Sequence, residues 1–504
     1  MTEEYLVDES RINHNLSVIG LGKLGLCMAG AFAEVGYRVI GVDVNETLID
    51  MVNAGEIPYV EPKLDRVLLN AGGRLFATSD YHEAITNSDT TFIVVATPTL
   101  PDGTYSNIYL ENALQSIAEV VRDKTEKHRI VVSCTVMPGT LEKMVIPLLE
   151  ETSGKKLGEG FSLAYNPEFI AMGNVIGVFT SPDFVLVGET DPEIGETLKD
   201  IYSVLCRNNP PVARMNLINA ELAKISLNCY VTTKITYANM LSELCELLPG
   251  ADVDTVSQAI GLDERIGGKV LKGGIGFGGP CFPRDNRAFV HLAEELGMDA
   301  GLARQTHNSN VWQLERLKKM VITRVPENST ITVLGVAYRT DTPLIEESQA
   351  FQLARFLAEN GYKVRIHDPV ALENARLELG ELVEYYDDVR DAIKDADAVV
   401  ITMMDKMYKS LTAKDFAILL NPGGHVIDPW RLYKEQDSDA ISYHPMGIGL
   451  KQPDTSKKKD SNIDSASDQY DNIIHKEMKI NTHNERSGSR RIQTFKSNIP
   501  DYNS

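Results

Sequence analysis

The sequence predicts an α/β protein: two Rossmann-like, doubly wound parallel-sheet domains joined by a helical middle domain with a long central helix. Three observations carry this. Residues 16–189 alternate short β-rich runs ("LSVIGLG", "YRVIGVDV", "TTFIVVATP", "RIVVSCTV", "PDFVLVGE") with helical patterns such as "LCMAGAFAEVG", the signature of a doubly wound sheet. "NLINAELAKISLNCYVTTKITYANMLSELCELLPG" is one long amphipathic run stopped by Pro249-Gly250. At "STITVLGVAYRTDT" the alternation resumes, with "YKVRIHDP", "DAVVITMM" and "GHVIDPW" as later strands. The expected organisation is an N-terminal extension (1–14), a first α/β domain (15–212), a helical central domain (213–325), a second α/β domain (326–445) and a tail (446–504). A chain of 504 residues is too long for one core.

Composition narrows the class. A net charge of −21 and 43% hydrophobic residues describe a globular protein with no electrostatic affinity for nucleic acid or an anionic membrane. No apolar run reaches membrane-spanning length, and "MTEEYLVDES" lacks the apolar core of a signal peptide. The six cysteines follow no metal-site or disulfide spacing, so free thiols in a reducing, cytoplasmic setting are expected, and no metal. The tail from residue 451 is polar, with few apolar residues, and reads as disordered.

Taken in chain order, "VIGLGKLGL" places Gly20, Gly22 and Gly25 after a strand and at the start of a helix. That context gives GxGxxG its meaning: a tight turn, close approach to a pyrophosphate, and close helix–strand packing. Asp43 ends the next strand, where an acid binds ribose hydroxyls and repels a 2′-phosphate, so NAD is expected over NADP. Thr97 in "ATPT" and Thr135 in "SCTV" follow strands at the carboxyl edge, placed to touch cofactor or a water; taken singly, each better suits a helix-capping loop threonine. Glu168 in "YNPEF" is a candidate general base or a surface carboxylate. Glu221, Lys224 and Asn228 share one broad face of the long helix, where Lys224 and Asn228 offer donors to an oxyanion or form a solvated stripe. In "GFGGPCFPRDN", Cys281 precedes a helix whose first turn holds Pro283. A helix N-terminus favours the thiolate, and the glycines suggest room for a ligand; the alternative is a small core thiol. Cys134 is the one credible rival to Cys281.

Together these pieces resemble the UDP-glucose/GDP-mannose dehydrogenase family. GLGKLG, ATPT, SCTV-x-PGT, YNPEF, ELAKISLN, LDERIG, GFGGPCFPRD and LGVAYRTDT occur in the family's order over about residues 16–435. The resemblance implies an NAD-binding Rossmann domain (15–212), a dimer-forming middle (213–325) and a nucleotide-sugar (UDP)-binding domain (326–445), and an NAD-dependent, four-electron oxidation of a sugar C6 alcohol to a carboxylate in a homodimer or higher homo-oligomer. By position, Cys281 matches the nucleophile, and Lys224 and Asn228 the oxyanion donors, Lys224 also handling protons. Glu168 matches the acid/base of thioester hydrolysis, and Thr135 and Asp285 the holders of its water. Arg265 matches an arginine reaching substrate across the dimer, Lys272 and the backbone through Gly278 the loop around the sugar, and Tyr338, Arg339 and Arg431 further substrate contacts.

The chain departs from the family pattern at Pro280, where many members have Ser, at Met172, where an acid is common, and at Glu346, where a cofactor-contacting arginine is usual. YNPEF and CFPRD favour UDP-glucose, oxidised to UDP-glucuronate. GDP-mannose or a UDP-N-acetylhexosamine is the alternative substrate, and a single-step NAD-dependent alcohol dehydrogenase the alternative chemistry.

Overall fold

The computed structural model describes residues 14–170, 172–433 and 441–449. Apart from His14, the expected N-terminal extension lies outside them, as does the expected disordered tail beyond Gly449. The first sheet holds β1 (Asn15–Ile19), β2 (Arg38–Val42), β3 (Leu75–Thr78), β4 (Thr90–Ile93), β5 (His128–Val132), β6 (Phe161–Tyr165), β7 (Val185–Glu189) and β8 (Val212–Met215). Its order is β3-β2-β1-β4-β5-β6-β7-β8. Ser17 of β1 faces Ile40 on one side and Thr91 on the other, so the order reverses at β1 and β4, where an open α/β sheet binds its ligand. The strands run parallel except between β6 and β7, where Tyr165 pairs antiparallel with Gly188. The expectation of a parallel sheet therefore holds for β1 to β6, and the chain turns back before β7.

A second six-stranded sheet is parallel throughout: β9 (Thr330–Leu334), β10 (Lys363–His367), β11 (Glu384–Tyr385), β12 (Ala398–Ile401), β13 (His425–Asp428) and β14 (Ser442–Pro445), in the order β11-β10-β9-β12-β13-β14. Its core strands bury nearly every side chain; β12 is fully buried, as sheets covered on both faces require.

Between the sheets a helix spans Leu217–Leu247. Asn216 caps it, its Oδ1 accepting from Asn219 N at 3.1 Å, which satisfies an otherwise unpaired first-turn donor. At 31 residues it is about 46 Å long, enough to run from the first sheet to the second. The helix Phe282–Glu295 packs on it and on the helix Gly301–Ile322. Past β14 the chain returns to the middle domain, Gly250 N donating to Gly449 O and Val253 N to Gly447 O. No helix among the described residues is long and apolar enough to cross a membrane.

Candidate active site

The glycine turn after β1 does three different jobs. Gly20 has φ of +92°, and a Cβ there would lie 2.6 Å from Val94 O. A Cβ on Gly25 would lie 1.8 Å from Gly20 O. Gly22 has nothing within 4 Å of that position and caps the helix Lys23–Glu34 with no side-chain bond. The first two glycines are thus dictated by packing. The third leaves open the approach to a helix N-terminus, whose free N–H groups and dipole suit a pyrophosphate. Asp43 fastens the turn: its Oδ2 accepts from Leu21 N at 2.7 Å and its Oδ1 from Asn45 N at 3.0 Å. A carboxylate can take further donors, so ribose hydroxyls remain chemically accommodated. These residues fit NAD.

Asp285 is the centre of the second constellation. It is fully buried. Its Oδ1 accepts from Tyr105 OH at 2.9 Å and Arg284 Nε at 3.2 Å, and its Oδ2 from Asn228 Nδ2 at 2.6 Å. Such charge-assisted bonds are what allow an ionised carboxylate in the interior. Arg284 also donates to Thr97 O at 3.2 Å, and its Nη2 stands 4.0 Å from Cys281 Sγ. Lys224, buried, donates to the carbonyl of Glu168 and lies over the Phe169 ring, 4.5 Å from its centroid. Burial lowers its pKa, against the charges of Asp285, Cys281 and Glu168.

Cys281 is the exposed thiol among six free cysteines. It stands at the N-cap of Phe282–Glu295, as expected. The direction of its pKa is not as expected: crowding by protein raises it, as do Asp285 and Glu346, while Arg284 and Lys224 pull it down. Crowding by surrounding protein and the two carboxylates outweigh the two cations. Cys134 is buried and its thiol is pushed up to about 12, which removes it as a rival nucleophile.

Glu168 follows β6. Its carboxyl is raised to about 7 by burial, opposed by the Tyr202 hydroxyl, which donates to Oε1 at 2.8 Å, and by Lys224. Thr135 is half-buried in the loop after β5. Glu221, on the same helix face as Lys224 and Asn228, is committed elsewhere: it accepts from Gly139 N at 2.7 Å and Leu141 N at 2.9 Å.

The glycine run before Cys281 faces protein. Cβ atoms at Gly276, Gly278 and Gly279 would lie 2.2 Å from Gln349 Nε2, 2.4 Å from Glu347 O and 2.6 Å from the Tyr338 ring. These glycines let the loop dock on the C-terminal domain, rather than leaving space beside it. Buried amides replace the loop's missing backbone partners: Gln349 Oε1 accepts from Gly276 N at 2.7 Å and Asn310 Oδ1 from Phe277 N at 2.8 Å.

Of the substrate-contact candidates, Tyr338 stands against Gly279 and bonds to the Arg339 side chain. Lys272 Nζ is 3.4 Å from Met404 Sδ at the edge of the same domain. The Arg265 side chain is 89% exposed and pairs with Asp263 at 2.6 Å. Arg431 is buried with φ of +58°. It grips Asp254 through two bonds of 2.9 Å and donates to the carbonyls of Gly273, Pro429 and Met446. All its donors are spent: three bonds reach Asp254 and Gly273 of the middle domain, and the other two hold Pro429 and Met446 on its own side. Met172 packs on the first core, and Glu346 is exposed near Cys281. Sequence reasoning missed Tyr105, Tyr202 and Arg284. Arg284 is legible three residues after Cys281; the tyrosines carry no local signal.

Three family models match: the NAD-binding domain of the UDP-glucose/GDP-mannose dehydrogenase family over residues 14–206, its central domain over 218–312 and its UDP-binding domain over 332–435. The UDP-glucose 6-dehydrogenase AglM of Haloferax volcanii is 36% identical over 390 residues, 77% of this chain and 90% of that protein. A GDP-mannose 6-dehydrogenase of Pseudomonas putida is 33% identical over 82% of this chain and 95% of its own. The solved UDP-glucose dehydrogenase of Pyrobaculum islandicum superposes with a TM-score of 0.79 at 33% identity, covering 88% of this chain and 100% of that one. The chain belongs to the UDP-glucose/GDP-mannose dehydrogenase family and is an NAD-dependent nucleotide-sugar 6-dehydrogenase.

Proposed function

We propose that the chain oxidises UDP-glucose to UDP-glucuronate through a covalent intermediate on Cys281. The observation that carries this reading is the convergence on one thiol of Arg284 and Lys224, with Asn228 and Asp285 beside them and Glu168 held near neutrality. NAD would be held by the Gly20–Gly25 turn and Asp43 and would supply the hydride acceptor, one NAD for each of the two oxidations. Lys224, whose neutral amine burial favours, takes the C6 hydroxyl proton as the aldehyde forms and so becomes the ammonium. Cys281 thiolate adds to the aldehyde carbon, giving a thiohemiacetal whose oxygen Lys224 and Asn228 stabilise. The second oxidation leaves a thioester. Glu168 as carboxylate takes a proton from water positioned with Thr135, and the collapse of the tetrahedral adduct returns the Cys281 thiolate and the uronate. Asp285, fully buried, acts by fixing Asn228 and Arg284.

UDP-glucose is favoured by the Haloferax volcanii relative and the Pyrobaculum islandicum structure, both named for that substrate. GDP-mannose is the second reading, on relatives of nearly equal identity. A panel of nucleotide sugars assayed for NADH release decides it: kcat/KM highest for GDP-mannose would replace the first reading by the second.

A homodimer is part of the proposal. Tyr230, Tyr237 and Leu244 recur every seven residues on the long helix, 65%, 48% and 51% exposed, with Met240 and Leu247 beside them. Such a stripe calls for a second helix, and a second copy supplies one. Dimerisation is also what would bring the outlying Arg265 to a site. The free thiols support a cytoplasmic location.

A further inference from the structure

After β4 a hairpin reaches from the first domain onto the helix behind Cys281. Thr99 and Tyr105 form a bridge at its base, Leu100 N donates to Thr104 O at 2.8 Å, and Asp102 accepts from both the N–H and the hydroxyl of Thr104. At its tip Gly103 has φ of +87°, and a Cβ there would lie 2.9 Å from Arg287 Cβ, so the hairpin sits directly on the Cys281 helix. This contact delivers Tyr105, 3% exposed, to Asp285 and Arg284. The hydroxyl takes Asp285 Oδ1, and the Arg284 guanidinium lies over the ring, 4.6 Å from its centroid.

Arg284 has a long, flexible side chain, and a cation on such a stem aids a thiolate only if it is held in place. Its hold consists of the Tyr105 face, Asp285 Oδ1 and Thr97 O, and the remaining Nη2 is left 4.0 Å from Cys281 Sγ. A planar guanidinium stacked on an aromatic ring keeps its direction, which an aliphatic neighbour does not enforce. We propose that Tyr105 is a positioning residue for the nucleophile: its ring is the platform that keeps the Arg284 cation against Cys281 Sγ, and its hydroxyl shares Asp285 with that cation.

The charges bearing on the thiol come from three elements: Arg284 and Asp285 on its own helix, Lys224 on the long helix, and Glu346 from the C-terminal domain. Only Arg284 touches Tyr105 as a cation, so losing the ring acts through Arg284.

The inference rests on the reading of Cys281 as the reacting thiol, and its test reads that thiol directly. In the full chain, without substrate or NAD, iodoacetamide alkylates Cys281 as the thiolate sulfur displaces iodide; rate against pH gives the thiol's midpoint. Tyr105→Leu is expected to raise that midpoint by about one pH unit. It should lower kcat about tenfold and leave KM for the nucleotide sugar within about threefold. Tyr105→Phe restores the platform and should recover most of both losses. Tyr105→Met, which keeps apolar volume without a π face, serves if the leucine variant does not fold. With Arg284→Met already present, Tyr105→Leu should add nothing further. An unchanged midpoint in the folded leucine or methionine variant, a phenylalanine variant as impaired as leucine, or additive shifts would each overturn the proposal. Failure of the two-step oxidation with the alkylation shifts intact would sink the mechanism and leave the Tyr105 relationship standing.

Discussion

Asn228 Nδ2 donates to Asp285 Oδ2 at 2.6 Å, inside a cluster where Asp285 is wholly buried. The donor expected to meet an oxyanion is therefore already anchored, and the anchor is a charge. An amide held this way is pre-oriented, and its second N–H is the one left for an oxyanion. Asn228→Ala takes a charge-assisted bond from a buried carboxylate and should cost about 1–3 kcal/mol of stability besides activity. Urea midpoints check this; an unchanged midpoint would mean that Asp285 finds other donors.

Arg431 separates a structural clamp from a substrate contact. Its side chain is fully buried, and its partners are Asp254 and three carbonyls. Arg431→Met should destabilise the ligand-free protein by about 3 kcal/mol by breaking a buried pair. Arg431→Lys should not rescue it, because an ammonium cannot serve a bidentate partner and three carbonyls at once. A variant of normal stability with a raised KM for the nucleotide sugar would return Arg431 to the substrate site.

What was legible in the sequence was what is local in it. Gly20, Gly22, Gly25 and Asp43 lie within one β-α-β unit, where spacing and periodicity encode the turn, and Asp43 indeed binds the turn's backbone at Leu21. The Cys281 helix and the long helix announced themselves by Pro283 and by a run ending at Pro249-Gly250. What was not legible depends on long-range packing. Tyr105 meets Asp285 across 180 positions, and Tyr202 meets Glu168 across 34. The glycines of 276–279 looked permissive toward a ligand because sequence cannot show that Tyr338, Glu347 and Gln349 fill the space. The same limit inverted the Cys281 pKa: helix position is readable, but crowding is not.

Glu168 carries a pH signature. Its folded pKa of about 7 lies above the unfolded value, which is about 4.3. A raised carboxyl contributes stability that is fully present below the unfolded pKa and is lost as pH rises through the folded one. Glu168→Gln cannot ionise, so its stability should gain on wild type between about pH 4 and pH 8. Hydrolysis of the thioester, which needs the carboxylate, should accelerate in wild type through the same range. Denaturant midpoints of the two proteins against pH test the first claim; parallel curves would show that Glu168 is not desolvated.

Stoichiometry tests the covalent step most directly. An aldehyde has no hydride to give toward an acid until a nucleophile adds, and the addition of Cys281 both creates that hydride donor and retains the intermediate. Each nucleotide sugar consumed should therefore yield two NADH and one uronate, with little free aldehyde. Cys281→Ala should lose uronate formation while NAD binding, measured by calorimetry, survives, because the Gly20–Gly25 turn and Asp43 are held by Leu21, Asn45 and Val94 rather than by Cys281. Cys281→Ser keeps an oxygen nucleophile but a poor one, since a hydroxyl stays protonated where Arg284 and Lys224 favour a thiolate. It should trap at most a slow acyl adduct, visible by mass spectrometry. One NADH per substrate in the wild type, or full uronate yield from Cys281→Ala, would reduce the reaction to a single-step alcohol oxidation and remove the thiol from its centre.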